Sequence, residues 1–132
     1  PPLPDSLLRL EVAHNSFDGT LPTIPFMLTY LNILSNQISG TIPALPPFLD
    51  YLNLATNLMH GTLPGNVFSS TLTKLHVQKN SFDGPVPPVM ANSPLTSLDL
   101  GSNRFTGPLD IMATGVVSCD IYDANDMNCF MP

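Results

Sequence analysis

Hydrophobic and polar positions recur along this chain with a period that sets every local prediction. Five Asn residues lie 21, 21, 23 and 23 positions apart, and a Gly follows each of them by four positions. The pairs are Asn15 and Gly19, Asn36 and Gly40, Asn57 and Gly61, Asn80 and Gly84, and Asn103 and Gly107. Aligned on these pairs, the unit is L-x-x-L-x-h-x-x-N-x-h-x-G-x-h-P, where h is an apolar residue. Five consecutive copies predict a repeat architecture over the whole chain.

The first half of the unit predicts a short β-strand, because apolar residues two positions apart point to the same side of an extended chain. Stacked copies form a parallel sheet whose inner side chains make one continuous core. The strands are predicted at 9–12, 30–33, 51–54, 74–77, 97–100 and 118–121.

These strands predict one solenoid domain over residues 1–132, with right-handed coils and the parallel sheet on its concave face. Residues 1–6 are the end of a preceding repeat, 7–110 hold five repeats of 21–23 residues, and 111–132 form a C-terminal capping coil. The convex side is predicted as short 3-10 turns or extended chain. Pro25, Pro46 and Pro47 favour extended chain in the short connectors, whereas 65–71 and 88–94 have room for a single helical turn.

The unit resembles the leucine-rich repeat, and its G-x-h-P extension resembles the plant-type subclass of receptor ectodomains and polygalacturonase-inhibitor-like proteins. The resemblance covers essentially the whole chain. The repeats are shorter than that subclass usually has, Asp110 stands in place of the fifth Pro, and no Cys-paired N-terminal cap is found. The resemblance implies that the five Asn residues turn inward and hydrogen-bond backbone groups along the stack, as a structural ladder.

The last coil extends the resemblance. Cys119 and Cys129, the only two cysteines, resemble the cysteine-paired final coil of extracellular leucine-rich repeat proteins. This implies a disulfide and an oxidising compartment, hence an extracellular, secreted or cell-surface location. At the other end no polar cap is evident, so we expect either additional repeats or a partner chain to cover the N-terminal coil.

The charge of the chain excludes several classes of partner. Ten acidic residues and four basic ones give a formal net charge of −6. The basic residues are Arg9, Lys74, Lys79 and Arg104. These are too few for the phosphate contacts of nucleic-acid binding. No apolar run approaches the roughly 18 residues that a membrane-spanning helix needs, so no transmembrane segment is predicted in this chain.

Candidate ligand-binding residues occupy the exposed positions of the predicted concave strands. Equivalent residues on neighbouring strands form columns, which place aromatic, polar and basic side chains side by side. The predicted site consists of Tyr30, Tyr51, Asn53, Lys74, His76 and Lys79. Tyrosine offers a broad contact area at a small entropic cost. Lys74 and Lys79 carry half of all basic charge, so an anionic group is the expected complement.

Catalytic and metal-binding chemistry has weaker support. His76 and Asp99 are predicted neighbours, but no Ser or Cys nucleophile is evident beside them, and an open sheet offers no deep pocket. We therefore expect no enzymatic activity, no catalytic residues and no cofactor. An acidic cluster comprises Asp120, Asp123, Asn125, Asp126 and Asn128. It lacks the sixth-position Gly and the final Glu of a calcium loop, so no metal site is predicted.

These observations leave two main hypotheses for function. The first is a non-enzymatic extracellular recognition module that binds protein, peptide or glycan through its concave sheet. The second is a structural or assembly subunit of a larger extracellular or membrane-associated complex. The second is favoured by the charged fraction of 11%, which leaves few solubilising side chains. Inhibition of wall-degrading glycosidases is implied by the resemblance alone.

Overall fold

The computed structural model of the chain describes residues 2–113, 115–116, 118–121 and 129–130. Those residues form short strands and no helix, which confirms the predicted solenoid. The strands are β1 (Arg9–Glu11), β2 (Asp18–Thr20), β3 (Tyr30–Asn32), β4 (Gln37–Gly40), β5 (Tyr51–Asn53), β6 (Leu58–Gly61), β7 (Lys74–His76), β8 (Ser81–Pro85), β9 (Ser97–Asp99), β10 (Arg104–Thr106), β11 (Leu109–Asp110), β12 (Ser118–Asp120) and β13 (Cys129–Phe130).

The concave sheet has six parallel strands in the order β1-β3-β5-β7-β9-β12. Each strand lies inside its predicted range and ends one residue earlier. The register places Leu31 opposite Leu52 and Leu52 opposite Leu75, so one leucine of each coil stacks on the next. The 21- and 23-residue repeats therefore keep one register across the sheet.

The core follows from this stacking. Leu52 on β5 and Leu54, one residue beyond the end of β5, are both fully buried. Burial of one such side chain contributes about 1.5–3 kcal/mol. Three repeats carry Phe at the apolar position two residues after the ladder Asn, and in two of them the rings of Phe82 and Phe105 lie nearly parallel at 6.3 Å. Packing of each coil against its neighbours thus supplies a core that no single coil could form.

A second parallel sheet runs along one flank in the order β10-β8-β6-β4-β2. The repeat unit alone does not predict it. Four of its five strands contain the repeated Gly, and both Gly40 and Gly61 have positive φ. A Cβ on Gly40 would lie 2.9 Å from the Thr20 methyl carbon, and one on Gly61 would lie 2.9 Å from that of Thr41. The glycines therefore allow the required backbone conformation and the close approach of the preceding coil.

The ladder asparagines after Asn15 join consecutive coils, because each side chain both donates a hydrogen bond to the preceding coil and accepts one from it. The Asn57 side-chain amide donates to the Ile33 carbonyl of the preceding coil at 3.0 Å and to the Leu54 carbonyl of its own coil at 3.1 Å. Its Oδ1 atom accepts the Ile38 backbone N–H at 3.0 Å. Asn36, Asn80 and Asn103 make the same set of contacts. Asn15 is exposed and donates only within its own coil.

The convex side consists of turns and extended chain. The single helical turn for which the longer connectors have room is not formed, either at 65–71 or at 88–94. In the first, a tight turn closes when the Val67 N–H donates to the Pro64 carbonyl at 3.0 Å. In the second, Val89 makes a parallel bridge to Ile111, which holds the chain extended. The bridge between two connectors and the neighbouring prolines therefore keep the chain extended, although these connectors are long enough for a helical turn.

The ladder predicts a large difference between two chemically identical substitutions. Asn57→Ala leaves a buried N–H and the buried carbonyls without partners and should lower the free energy of unfolding by about 3 kcal/mol. Asn15→Ala removes only exposed contacts and should lower it by less than about 1 kcal/mol. Urea unfolding of both variants beside the parent chain measures the two values. Equal losses would show that the ladder does not depend on contacts between coils.

The predicted disulfide involves residues only partly described. β12 carries Cys119, and β13 pairs Cys129 with Leu109 by backbone register. The Cys129 side chain and residues 122–128 of the acidic cluster lie outside the described residues. The Cys119–Cys129 bond and the boundaries of the capping coil therefore stay predictions.

If the two cysteines are bonded, iodoacetamide should not modify the native chain unless a reductant is added. Reduction should then expose both thiols and lower the free energy of unfolding by about 2–3 kcal/mol, because the denatured chain loses a short closed loop. Mass spectrometry after alkylation, with and without reductant, measures the first effect. Two modified thiols in the unreduced native chain would contradict the bond.

Candidate functional site

A row of side chains, each in contact with the next, crosses the concave sheet from strand to strand. We call Arg9, Tyr30, Tyr51, His76 and Ser97 the concave row. The Arg9 guanidinium lies 3.5 Å from the Tyr30 ring centroid. The Tyr30 and Tyr51 rings stack with centroids 4.4 Å apart and planes within 8°. His76 meets the Tyr51 ring at 6.1 Å and 72°, and its Nε2 atom lies 2.9 Å from the Ser97 hydroxyl.

This stacking determines which part of each tyrosine faces outward. Arg9 on β1 and Tyr51 on β5 flank Tyr30 on β3, so both faces of the Tyr30 ring are covered. A ligand above the sheet can therefore reach ring edges and hydroxyl groups rather than an open aromatic face. Each ring also contacts its neighbours across the strands.

The tyrosine hydroxyls are held by hydrogen bonds. The Tyr30 hydroxyl donates to Glu11 Oε2 at 3.0 Å, and the Asn53 amide donates to the Tyr51 hydroxyl at 3.3 Å. Burial raises the pKa of Tyr30, and the hydrogen bond to Glu11 raises it further. The Tyr30 hydroxyl therefore keeps its proton at neutral pH and presents no negative charge on this face.

Asn53, a predicted ligand residue, makes its hydrogen bonds inside the sheet. It is only 5% exposed, and its Oδ1 atom accepts the Ala55 backbone N–H at 3.1 Å. Asp99 accepts the Gly101 N–H in the same way two strands further on. Both of the Asn53 polar groups are thus used inside the sheet. Asn53 thus holds the Tyr51 hydroxyl on one side and the backbone just after β5 on the other.

The basic residues of the site lie on and just after β7. Lys74 is exposed and His76 is partly buried on the same strand. Lys79 lies beyond the strand end, at the residue before the ladder Asn, with a positive φ of 56°. Burial lowers the pKa of His76, an effect that the carboxylate of Asp99 opposes. At neutral pH the positive charge here therefore comes from the two lysines.

The structure corrects one expectation about His76. No serine is evident beside it in the sequence columns, because strand register places Ser97 opposite Lys74 and Asp99 opposite His76. The imidazole nevertheless reaches diagonally to the Ser97 hydroxyl. Among the described residues, no hydrogen bond joins Asp99 to His76, so the orienting carboxylate of a hydrolytic triad is not in place.

Two further properties concern only the described part of the chain. No helix there is long and apolar enough to cross a membrane. Within the same residues, no group of three or more His, Cys, Asp or Glu side chains is arranged to hold a metal ion.

Comparison with known proteins agrees with this architecture. Family profiles described as leucine-rich repeats match residues 27–49 and 91–108. No curated protein matches the sequence at a significant level.

Several solved structures superimpose on most of the chain. PEPR1 in the PEPR1–AtPEP1 structure is 29% identical over 97% of this chain, with a TM-score of 0.85. The plant peptide hormone receptor RGFR1, in complex with RGF2, is 25% identical over 96%, with a TM-score of 0.84. Pollen Receptor Kinase 3 is 28% identical over 89%, with a TM-score of 0.76. The chain spans 19%, 23% and 61% of these three chains.

The repeat period, the two parallel sheets, the asparagine contacts between coils and these similarities agree with one another. The chain is therefore a leucine-rich repeat solenoid that is similar to plant receptors.

Proposed function

We propose that the concave sheet is a non-enzymatic recognition surface for an extracellular peptide or protein segment that carries an anionic group. The observation that carries this proposal is the concave row, whose side chains are held in place by one another. Side chains that are already ordered lose little conformational entropy when a partner binds. Tyrosine and arginine are also the residue types that dominate binding energy at protein interfaces.

The covered faces of the tyrosines favour a peptide over a glycan. Sugar rings bind aromatic residues mainly through the open ring face, and both faces of Tyr30 are occupied by Arg9 and Tyr51. Hydroxyl groups and ring edges suit the amide groups and side chains of an extended chain. The similar receptor RGFR1 is described as a peptide hormone receptor, in complex with RGF2, which supports the same class of partner.

The charges along the concave face favour one orientation of a bound partner. Lys74 and Lys79 lie at β7, and the acidic residues Asp99 and Asp120 lie on the next two strands. A complementary partner places an anionic group over β7 and a neutral or basic group toward β12. An extracellular or cell-surface location is consistent with this function, with the predicted disulfide and with the similarity to receptors.

The assembly hypothesis has its own supporting observation, on another surface. Phe26 and Phe48 contact each other edge to face at 5.8 Å and remain 65% and 46% exposed. Met27, which follows Phe26 in the chain, is also exposed. Apolar clusters of this kind mark protein contacts. A chain that stays in solution only while bound to another subunit would favour this second function.

Charge reversal at Lys74 should weaken binding of an acidic peptide selected against the chain from a displayed library. Lys74→Glu should raise the dissociation constant about tenfold, mainly through slower association, because an exposed charge steers the encounter. Arg104→Glu is the matched control, since Arg104 is exposed on the flank sheet and undergoes the same charge change. Biolayer interferometry at two salt concentrations measures both variants. Equal effects of the two variants, or none, would contradict the concave site.

The same acidic peptide should raise the pKa of His76. In the free chain burial lowers that pKa, so the ring is neutral at pH 7. A bound carboxylate favours the protonated ring, so affinity should increase as pH falls through the pKa of the complex, and level off below that of the free chain. NMR titration of the imidazole signals measures the shift, with the exposed His14 and His60 as internal controls. Identical titration of all three rings with and without peptide would contradict binding beside His76.

A further inference from the structure

Large apolar side chains point outward on the convex side of the solenoid, in the connectors that lead from the flank sheet of one coil to the concave strand of the next. In each connector a buried apolar residue is followed, one to three positions later, by a Phe or Met that is exposed or half-buried. The buried residues are Ile24, Leu45, Val67, Val89 and Ile111. We call the outward residues the convex ridge, which consists of Phe26, Phe48, Phe68, Met90 and Met112.

The convex ridge is continuous and differs in composition between its two ends. Phe26 and Phe48 are in edge-to-face contact at 5.8 Å. Met90 and Met112 each directly follow a residue of one parallel bridge, so they are also neighbours. Phe68 lies between these pairs along the chain and packs partly against the core. One end of the ridge is therefore aromatic, and the other end consists of methionines.

The connectors that carry the convex ridge are almost free of charge. Four of them, at 22–28, 43–49, 64–72 and 87–95, contain no Asp, Glu, Lys, Arg or His. The fifth, at 108–116, contains Asp110 alone. The whole chain has a formal net charge of −6, so two copies repel each other through most of their surfaces. On the convex side they can approach without bringing like charges together.

We propose that the convex ridge binds the convex ridge of a second copy of this chain, in antiparallel orientation about a twofold axis. An axis at Phe68 places Phe48 opposite Met90 and Phe26 opposite Met112, and each pair occurs twice in the dimer. Methionine sulfur makes favourable contacts with aromatic rings. A twofold interface uses the same patch on both copies, and the order of Phe and Met along the ridge makes this patch complementary to itself.

The size of the ridge predicts a weak and reversible dimer. Coils stacked about 4.8 Å apart give five connectors a width of roughly 20 Å, and one extended connector is about as long. The contact therefore buries roughly 400 Å² on each copy, which is about half the area per partner of a standard stable interface. Association of this kind depends on protein concentration, and it is disrupted by a single charge in the contact.

Other occupants fit the convex ridge less well. Surfaces that bind membranes combine basic residues with Trp or Tyr at the level of the headgroups, and the connectors contain none of these residues. A peptide needs a groove or an open sheet edge, which a ridge does not offer. The concave sheet lies on the opposite side of each coil and stays open in the dimer, so this proposal does not depend on the concave site.

Sedimentation velocity of the full chain, from about 10 µM to about 1 mM, measures the association. The sedimentation coefficient of the parent chain should rise with concentration. Phe48→Glu and Met90→Glu should each raise the dissociation constant of the dimer at least about tenfold, because one substitution places an unpaired charge in two contacts. Leu58→Glu is the matched control on the flank sheet, at a residue that is 62% exposed, and it should change nothing.

Mixing of variants tests the antiparallel orientation. Phe48→Lys and Met90→Glu chains should associate weakly when alone, and an equimolar mixture should regain most of the association of the parent chain. Opposite charges then meet at one end of the dimer, and the native pair remains at the other. A mixture of Phe48→Lys and Phe48→Glu chains should stay weak, because residue 48 does not meet its counterpart. The reverse pattern would show parallel ridges and contradict the proposal.

Three further results would overturn the proposal. The first is a parent chain that stays monomeric up to about 1 mM. The second is association that Leu58→Glu or Phe17→Glu weakens as much as the ridge variants do, which would place the contact on the flank sheet or at the first coil. The third is a monomeric chain that sediments with neutral phosphatidylcholine vesicles, which would identify a lipid surface as the occupant.

Discussion

The hydrogen bonds of the ladder asparagines are the interaction on which the rest of this molecule depends. A turn that follows each short strand leaves backbone N–H and carbonyl groups facing the next coil, away from water. One Asn side chain satisfies several of them, because its amide donates to two coils and its Oδ1 atom accepts from the preceding one, as at Asn57. This contact fixes the distance and register between coils. The leucine stack, the flank sheet and the columns of the concave face all follow from that register.

A constant register also explains why a functional surface can form on strands of only three residues. Equivalent positions meet across the sheet, so Tyr30 and Tyr51 stack although they are 21 residues apart in sequence. The row continues through Arg9 on one side and His76 on the other. Each side chain is ordered by its neighbours rather than by burial alone. The regular stacking of the coils thus orders side chains on an exposed surface.

The same periodicity has a cost at the end of the stack. A coil buries its apolar residues only between two neighbours, so the first coil keeps an open cavity and two edge strands. Open strand edges invite pairing with other chains. The concave face and the open end of the solenoid therefore follow from the same periodicity.

The sequence by itself determined the period, the six concave strands to within one residue at their ends, the core leucines and the type of repeat. These depend on alternation and spacing, which constrain the backbone directly. Only the tertiary structure decided the flank sheet, because its pairing depends on close approach at Gly40 and Gly61. It also decided that Asn53 is buried and that His76 reaches Ser97 diagonally. A repeat pattern specifies which residues share a column, whereas side-chain rotamers and contacts between columns depend on packing in three dimensions.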